Sequence, residues 1–228
     1  QRPAVADITL STVSSLTAAL SLLDQAPFHF MTKADQPVTL GQGEARITTQ
    51  LRMPLQKKIA LADVDYHVTG KVTGFSSDSL VPGRKILAQT MAVSADTKGL
   101  LIAGQGTIGA VPFDVSYAQS FAPEKKGRAR IEGSITLSQQ TVTEFGLGLP
   151  TGMVSGEGQG QVAIDLAHGA PGKLSLVSDL NRIGLAIPEL GWSKSPAERG
   201  RLEAEVTLGK PPKVTRISLD APGLVAEG

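Results

Sequence analysis

Apolar and polar residues alternate along most of this chain with a period of two, which places successive side chains on opposite faces of a β-strand. The alternation is clearest in residues 44–53, 128–137, 161–166 and 201–208. In each stretch one set of positions is mostly aliphatic and the other is mostly charged, hydroxylated or amidic. Strands with one apolar and one wetted face are typical of an antiparallel sheet. The pattern therefore predicts a mainly β fold built on such a sheet.

Helical spacing of apolar residues is confined to two short places. Residues 11–25 carry leucine and alanine on one helical face, with Ser11 or Thr12 as the predicted N-cap and Pro27 as the end. A second short helix is predicted over residues 138–146, from a capping serine to a terminating glycine. The pattern thus predicts an antiparallel sheet with one or two short helices.

An internal repeat supports an architecture that grows by adding β segments. Residues 94–104 and 218–228 share the pattern Ser-x-Asp-x-x-Gly-Leu-(Leu/Val)-x-x-Gly, and residues 151–158 are a looser copy. Repeated units of this kind stack on one another instead of closing into a single core. We interpret residues 1–228 as a single segment of a longer repeating sheet. The unfinished β pattern at the end of the chain also leads us to expect an excised piece of a larger protein.

Composition removes several classes of function. The net charge of +1 does not indicate a nucleic-acid surface, and 4% aromatic residues are too few for base-stacking platforms. The absence of cysteine rules out disulfides and thiolate metal sites. No run of about 18 apolar residues occurs, so the segment is not expected to cross a membrane. The 25 glycines and 14 prolines fall mostly between alternating stretches, as in a turn-rich β protein.

The stretch GQGTIG, Gly104–Gly109, fits the dinucleotide-binding pattern Gly-x-Gly-x-x-Gly. That pattern binds a pyrophosphate only where a helix N-terminus follows the glycines. Here the apolar run of residues 99–103 precedes the glycines, and the alternating residues 111–117 follow them. We therefore interpret the glycines as turn and strand-edge residues joining two β segments, and we expect no cofactor.

Other candidate sites have simpler explanations. Asp63, Asp65 and His67 share one strand face and form a conceivable metal site, but a solvated strand face explains them better. Glu203 and Glu205 are conceivable paired carboxylates, but an arginine on the same face makes a charged exterior the better interpretation. No catalytic constellation emerges from the sequence, so we do not expect an enzyme.

Three long stretches, residues 99–121, 127–166 and 175–208, resemble the AsmA-like proteins of the Gram-negative envelope, and in particular their large YhdP-type branch. The most telling signature is SDLNRIGLAIPELGWSK, Ser178–Lys194, in which an apolar run ends at a proline and is followed by glycine, tryptophan and lysine. The pattern LLDQAPFHF followed by GEARITTQLRMPL also fits. The resemblance extends from about Leu22 to the end of the chain.

The resemblance implies a location and a function. AsmA-like proteins of this branch resemble long periplasmic bridges that are anchored in the inner membrane and carry phospholipid toward the outer membrane. Acyl chains slide along the apolar inner face of a curved β-groove while the headgroups stay in water. On this basis we expect a non-enzymatic, periplasmic lipid-transport segment with phospholipid as its ligand and both membranes as partners of the full-length protein.

A groove of this kind needs an aliphatic wall, because each buried CH₂ of an acyl chain contributes about 0.8 kcal/mol. The alternative is the filled core of a closed β-sandwich acting as a binding or scaffold module, whose strands alternate in the same way. Twelve aliphatic positions are predicted to line the groove: Ile47, Leu51, Met53, Ile131, Ile135, Leu137, Val162, Ile164, Leu166, Leu202, Val206 and Leu208.

Overall fold

A computed structural model describes residues 4–25, 29–56 and 63–228. The strands are β1 Val5–Ser15, β2 Gln42–Pro54, β3 Asp65–Val81, β4 Arg84–Asp96, β5 Gly99–Ile108, β6 Val111–Ser120, β7 Arg128–Leu137, β8 Val154–Gly156, β9 Gly158–Ala167, β10 Ala170–Ser178, β11 Ile183–Ile187, β12 Trp192–Lys194, β13 Arg201–Leu208, β14 Lys213–Ala221 and β15 Leu224–Glu227. The helices are α1 Leu16–Leu23, α2 Phe30–Lys33 and α3 Gln139–Phe145, and 3-10 turns span Pro123–Lys125 and Pro188–Leu190.

Twelve of these strands form one antiparallel sheet, in the order β1-β2-β3-β4-β5-β6-β7-β9-β10-β13-β14-β15. The order follows the chain, because each strand pairs with the next one that belongs to the sheet. The three remaining strands form a small sheet in the order β12-β11-β8. The prediction of a mainly β, antiparallel fold with a few short helices is confirmed.

The alternating stretches of the sequence fold as the predicted strands. Residues 128–137 and 201–208 coincide with β7 and β13, while 44–53 and 161–166 lie within β2 and β9. Both close copies of the repeat fold as hairpins, at the β4–β5 and β14–β15 turns. The looser copy, residues 151–158, instead leads through β8 into β9.

The first predicted helix is wrong in its boundary. Residues 11–15 belong to β1, which pairs with β2 through Ser15, and α1 begins only at Leu16. The N-cap is Ser15, whose Oγ accepts a hydrogen bond from the Ala18 N–H at 3.2 Å, so Ser11 and Thr12 are not caps. The strand continues because pairing with β2 satisfies the backbone of these β-tolerant serine, threonine and valine residues. The predicted end at Pro27 lies outside the described residues.

The second predicted helix corresponds to α3. Ser138 is the N-cap of a capping box with Thr141, and Gly146 ends the helix with φ 62°. A left-handed residue after the last turn suits glycine, since glycine lacks the Cβ that opposes this conformation. Thr141 Oγ1 also donates to the Thr136 carbonyl at 2.7 Å, which fixes the start of α3 to β7.

The chain divides into two compact units, the first comprising residues 1–105 and 117–127 and the second residues 106–116 and 128–228. The buried core of the first unit is Ala45, Val72, Phe75 and Ala88, against which Leu16 and Ala19 of α1 pack. The helix thus covers one end of the paired strands β2 to β4.

The second unit has a core of different origin. The buried residues are Val142 of α3, Val154 of β8, Leu180 in the loop before β11 and Ile183 of β11. Partly buried Leu137, Leu202 and Leu219 of the large sheet pack against them. The small sheet, α3 and the loop before β11 therefore cover one end of strands β7, β13 and β14. We call this part of the second unit the covered end.

A buried lysine holds the covered end together. Lys194 is 2% exposed, and its Nζ donates to the carbonyl oxygens of Leu180 at 2.9 Å, Ile183 at 2.7 Å and Ser195 at 3.1 Å. Burial lowers the pKa of this ammonium, and the carboxylates of Glu198 and Asp179 partly offset the change. Its three donors are all used, which is the condition under which a buried cation is tolerated.

Candidate functional site

The apolar face of the second unit is built from rows of side chains that run across neighbouring strands. One row is set by the pairs Ile131–Ile164, Ile164–Leu174, Leu174–Val206 and Val206–Val214. Directly opposite residues have Cβ atoms about 4.5–5.5 Å apart, so each row is a continuous aliphatic strip. We call the surface formed by these rows the apolar face.

Two further rows flank the first. Val162 pairs with Leu176, Leu176 with Ala204 and Ala204 with Ile217, which continues the aliphatic character toward the covered end. On the other side, Ala129 pairs with Leu166 and Gly172 pairs with Leu208. The apolar face therefore spans β7, β9, β10, β13 and β14 without a charged residue in these rows.

Glycines on this face make room for the neighbouring leucines. A Cβ at Gly160 would lie 2.9 Å from Leu176 Cδ1 and 3.0 Å from Leu137 Cδ1, which is closer than such atoms normally approach. The side chains of Leu176 and Leu137 therefore occupy the space that a side chain at Gly160 would need.

The opposite face of the same strands is charged. Arg130 Nε donates to Glu132 Oε1 at 2.6 Å and its Nη1 donates to Asp165 Oδ1 at 2.5 Å. These hydrogen bonds raise the pKa of the Arg130 guanidinium, Glu132 contributing more than Asp165. Exposed ion pairs add little to stability, but they keep this face in water. The sheet thus separates an aliphatic side from a hydrated side.

The two glutamates of β13 belong to this charged face. Arg201 Nε donates to Glu203 Oε1 at 2.5 Å, and Glu205 lies opposite Arg216 of β14. The geometry agrees with a charged exterior.

All twelve predicted lining residues are partly exposed, and none belongs to the buried core. Nine of them lie in the second unit, and Ile47, Leu51 and Met53 lie in the first. In the first unit Leu51 is flanked by Ile8 and Tyr66, and Met53 lies opposite Ala6.

Three of the twelve already have protein partners. Ile47 packs against the core of the first unit, while Leu137 and Leu202 pack against that of the second. These three positions alternate like the other nine, so the alternation alone does not distinguish them. The remaining nine are partly exposed and are not among the residues that pack against either buried cluster.

The first five residues of the glycine motif, 104–108, lie in β5, and Gly109 begins the turn into β6, so the motif joins two β segments as predicted. Gly109 has φ 56°, and a Cβ at this position would collide with the carboxylate of Glu144. Glu144 Oε2 accepts a hydrogen bond from the Ala110 N–H at 3.3 Å. The turn is therefore occupied by a carboxylate of the chain itself, which opposes an incoming phosphate.

The described residues contain no group of three or more histidine, aspartate or glutamate side chains able to hold a metal ion. Asp63 accepts a hydrogen bond from Gln56 Nε2 at 3.3 Å, and Asp65 lies opposite Arg52 on β2. His67 lies opposite Asp96. Likewise, none of the helices within residues 4–25, 29–56 and 63–228 combines the length and hydropathy needed to cross a membrane.

Trp192 is half-buried in β12, and its Nε1 donates to the Pro222 carbonyl at 2.8 Å. This bond ties the small sheet to the β14–β15 turn, whose Gly223 lies beside the indole. The residues of the Ser178–Lys194 signature thus meet in one place, where they build the covered end.

In comparison with known proteins, no family model, curated protein or solved structure matches the chain.

Proposed function

We propose that this chain is a non-enzymatic segment of a periplasmic, bridge-like phospholipid-transport protein of the AsmA-like type. It holds acyl chains along the apolar face, and headgroups remain in water beyond the strand ends. The observation that carries the proposal is the combination of continuous aliphatic rows with partial exposure: the Ile131–Ile164–Leu174–Val206 row is in register across four strands, yet none of its members is buried.

The distribution of burial supports a ligand on this face. A closed sandwich buries both inner faces against each other, whereas the buried cluster of the second unit draws its residues from α3, β8, the loop before β11 and β11 itself. About 0.8 kcal/mol per buried CH₂ is available to an acyl chain that covers the exposed rows. Since the rows contain no hydrogen-bonding side chain that would fix a ligand, the acyl chain is free to slide along them.

The chemistry of the two faces also fits a lipid. An acyl chain requires an aliphatic surface, and the alternation of the strands gathers the aliphatic side chains on one side of the sheet while the charged side chains keep the other side in water. The periplasmic location and the connection to inner and outer membranes rest on the family resemblance alone.

A second function, a β-sandwich binding or scaffold module of the envelope, is favoured by the covered end. There the small sheet packs on Leu137, Leu202 and Leu219 as the second layer of a sandwich would. In this case the uncovered rows would receive a protein partner, and no lipid would accompany the purified chain.

The test is native mass spectrometry of the chain purified from a bacterial host, followed by extraction and identification of bound lipid. We expect copurified phospholipid, and we expect Val206→Asp to lose most of it, because an unpaired carboxylate in the aliphatic row is costly to cover. The matched control is Thr207→Asp, the next residue of β13 on the charged face, between Lys173 and Lys213.

Circular dichroism must show that both variants are folded. A folded wild-type chain that carries no lipid and binds no added fatty acid, or equal loss of lipid in the two variants, would contradict the proposal.

A further inference from the structure

Positive charge is concentrated at the end of the second unit's strands that lies opposite the covered end. There β7, β10 and β14 begin and β9 and β13 end, with the turns 168–169 and 209–212 between them. We call the following six exposed residues the basic end: Arg128, Arg130, Asp165, Lys173, Lys210 and Lys213. Five cations and one carboxylate give it a charge of +4 on a chain whose net charge is +1, so the rest of the chain carries −3.

The strand register aligns these residues in one row across the hydrated face. The pairs along the row are Arg130–Asp165, Asp165–Lys173, Lys173–Thr207 and Thr207–Lys213. Lys173 therefore lies two strands from Arg130 and two strands from Lys213, about 10 Å in each direction. This spacing is close to the Debye length at physiological salt, so the potentials of neighbouring cations add.

Most cations of the basic end have no counter-ion within the protein. Asp165 and Glu132 both form ion pairs with Arg130. Four cations form no ion pair with any residue in the described ranges: Arg128, Lys173, Lys210 and Lys213. Their charge is therefore available to an anion outside the chain.

Uncovered aliphatic side chains lie next to these cations on the opposite face. Val214 follows Lys213 on β14 and is 57% exposed. Leu166 of β9 and Leu208 of β13 lie at the same end of the sheet, and neither packs against a buried cluster. Cations beside exposed aliphatic side chains match a lipid–water boundary, where phosphate groups lie next to acyl chains. The row has no aromatic residue on which nucleic-acid bases could stack.

We propose that the basic end docks this chain on the surface of an anionic phospholipid membrane, with its unpaired cations against the lipid phosphates. Each lysine or arginine close to such a surface strengthens binding about fivefold. Four unpaired cations therefore give a preference on the order of several hundredfold for anionic over zwitterionic lipid. This docking goes beyond the carriage of acyl chains, because it requires no ligand on the apolar face.

Vesicle flotation measures the docking directly. The purified chain is mixed with vesicles of phosphatidylglycerol and phosphatidylethanolamine, or with vesicles of phosphatidylcholine alone, and the bound fraction is recovered from the top of a density gradient. We expect binding to the anionic vesicles at about 50 mM salt and its loss at about 500 mM, because salt screens the charges. We expect no binding to the phosphatidylcholine vesicles.

Charge reversal locates the docking surface. The test variant combines Lys173→Glu with Lys213→Glu, and the matched control combines Arg182→Glu with Arg199→Glu, two exposed arginines beside the covered end. Both double variants change the net charge equally. We expect the test variant to bind anionic vesicles at least about thirtyfold more weakly and the control to change binding less than about twofold. Lys213→Gln, which removes a single charge, should weaken binding about fivefold.

Val206→Asp separates docking from lipid carriage, because it alters the apolar face and leaves the basic end intact. This variant should lose carried lipid and still float with anionic vesicles. A folded wild-type chain that does not bind anionic vesicles at low salt overturns the docking and leaves the proposal of lipid carriage standing.

Three further results would contradict the docking. They are equal binding to phosphatidylcholine vesicles, equal weakening in the two folded double variants, and tighter binding of a DNA duplex than of anionic vesicles at the same salt. The last result would assign the basic end to nucleic acid.

Discussion

The covered end and the apolar face of the second unit share strands β7, β13 and β14, but only the covered end has a buried cluster packed on those strands. Leu137 and Leu202, which are themselves partly exposed, pack against that cluster, and Ile131 and Val206, a few residues away on β7 and β13, are not among the residues packed on it. All four side chains lie on the apolar side of their strands. Alternation therefore identifies the side of a sheet that avoids water, and separate elements decide what covers that side.

The largest effect that separates the two regions should come from matched leucine truncations. Leu180→Ala removes a side chain that is 2% exposed within the covered end, and we expect a loss of about 3 kcal/mol in the free energy of unfolding. Leu174→Ala, in the middle of the apolar face, should cost about 1 kcal/mol because the residue is already partly exposed. Urea denaturation followed by circular dichroism measures both losses. Equal losses would show that leucines of the two regions contribute equally to the free energy of unfolding.

An intermediate effect is expected from the buried lysine. Lys194→Met keeps most of the side-chain volume but leaves the carbonyls of Leu180 and Ile183 without their donor, and we expect a loss of about 2 kcal/mol. Lys173→Met, an exposed lysine of β10, serves as the control and should change the unfolding free energy by less than about 0.5 kcal/mol. A Lys194→Met variant as stable as the wild type would show that the ammonium does not organise the covered end.

The smallest effect should come from the attachment of the small sheet. Trp192→Phe keeps an aromatic ring but removes the hydrogen bond to the Pro222 carbonyl, and we expect a loss of about 1 kcal/mol. Hydrogen exchange should show faster exchange in β12 while the amides of β9 stay protected. Protection lost equally in both strands would mean that the small sheet does not open separately from the large one.

The sequence was sufficient for those strands of the large sheet that are long and strictly alternating. Residues 128–137 and 201–208 fold as the strands that the pattern predicts. The helix α3 ends at Gly146 as predicted, because glycine readily adopts the left-handed conformation that ends a helix. The helix boundary before Leu16 was missed because Ser11 and Thr12 suit a cap and a strand equally well, and pairing with β2 decides between them.

The covered end could not be predicted from the residues alone. The strands β8 and β12 have three residues each, too few to show a period. Lysine is ordinarily solvated, so nothing local marks Lys194 as buried. The resemblance did single out Ser178–Lys194 as its most telling signature, and the structure shows these residues meeting at one end of the sheet.

The bonds of Lys194 have a consequence for the order of folding. Its acceptors at Leu180 and Ile183 are only 14 and 11 residues away along the chain. Closing a loop of this length takes on the order of 100 ns, and contacts so local cost little chain entropy. The loop around Lys194 can therefore form early in folding. Leu219 reaches this loop only after the longer connection through β13 and β14 has closed.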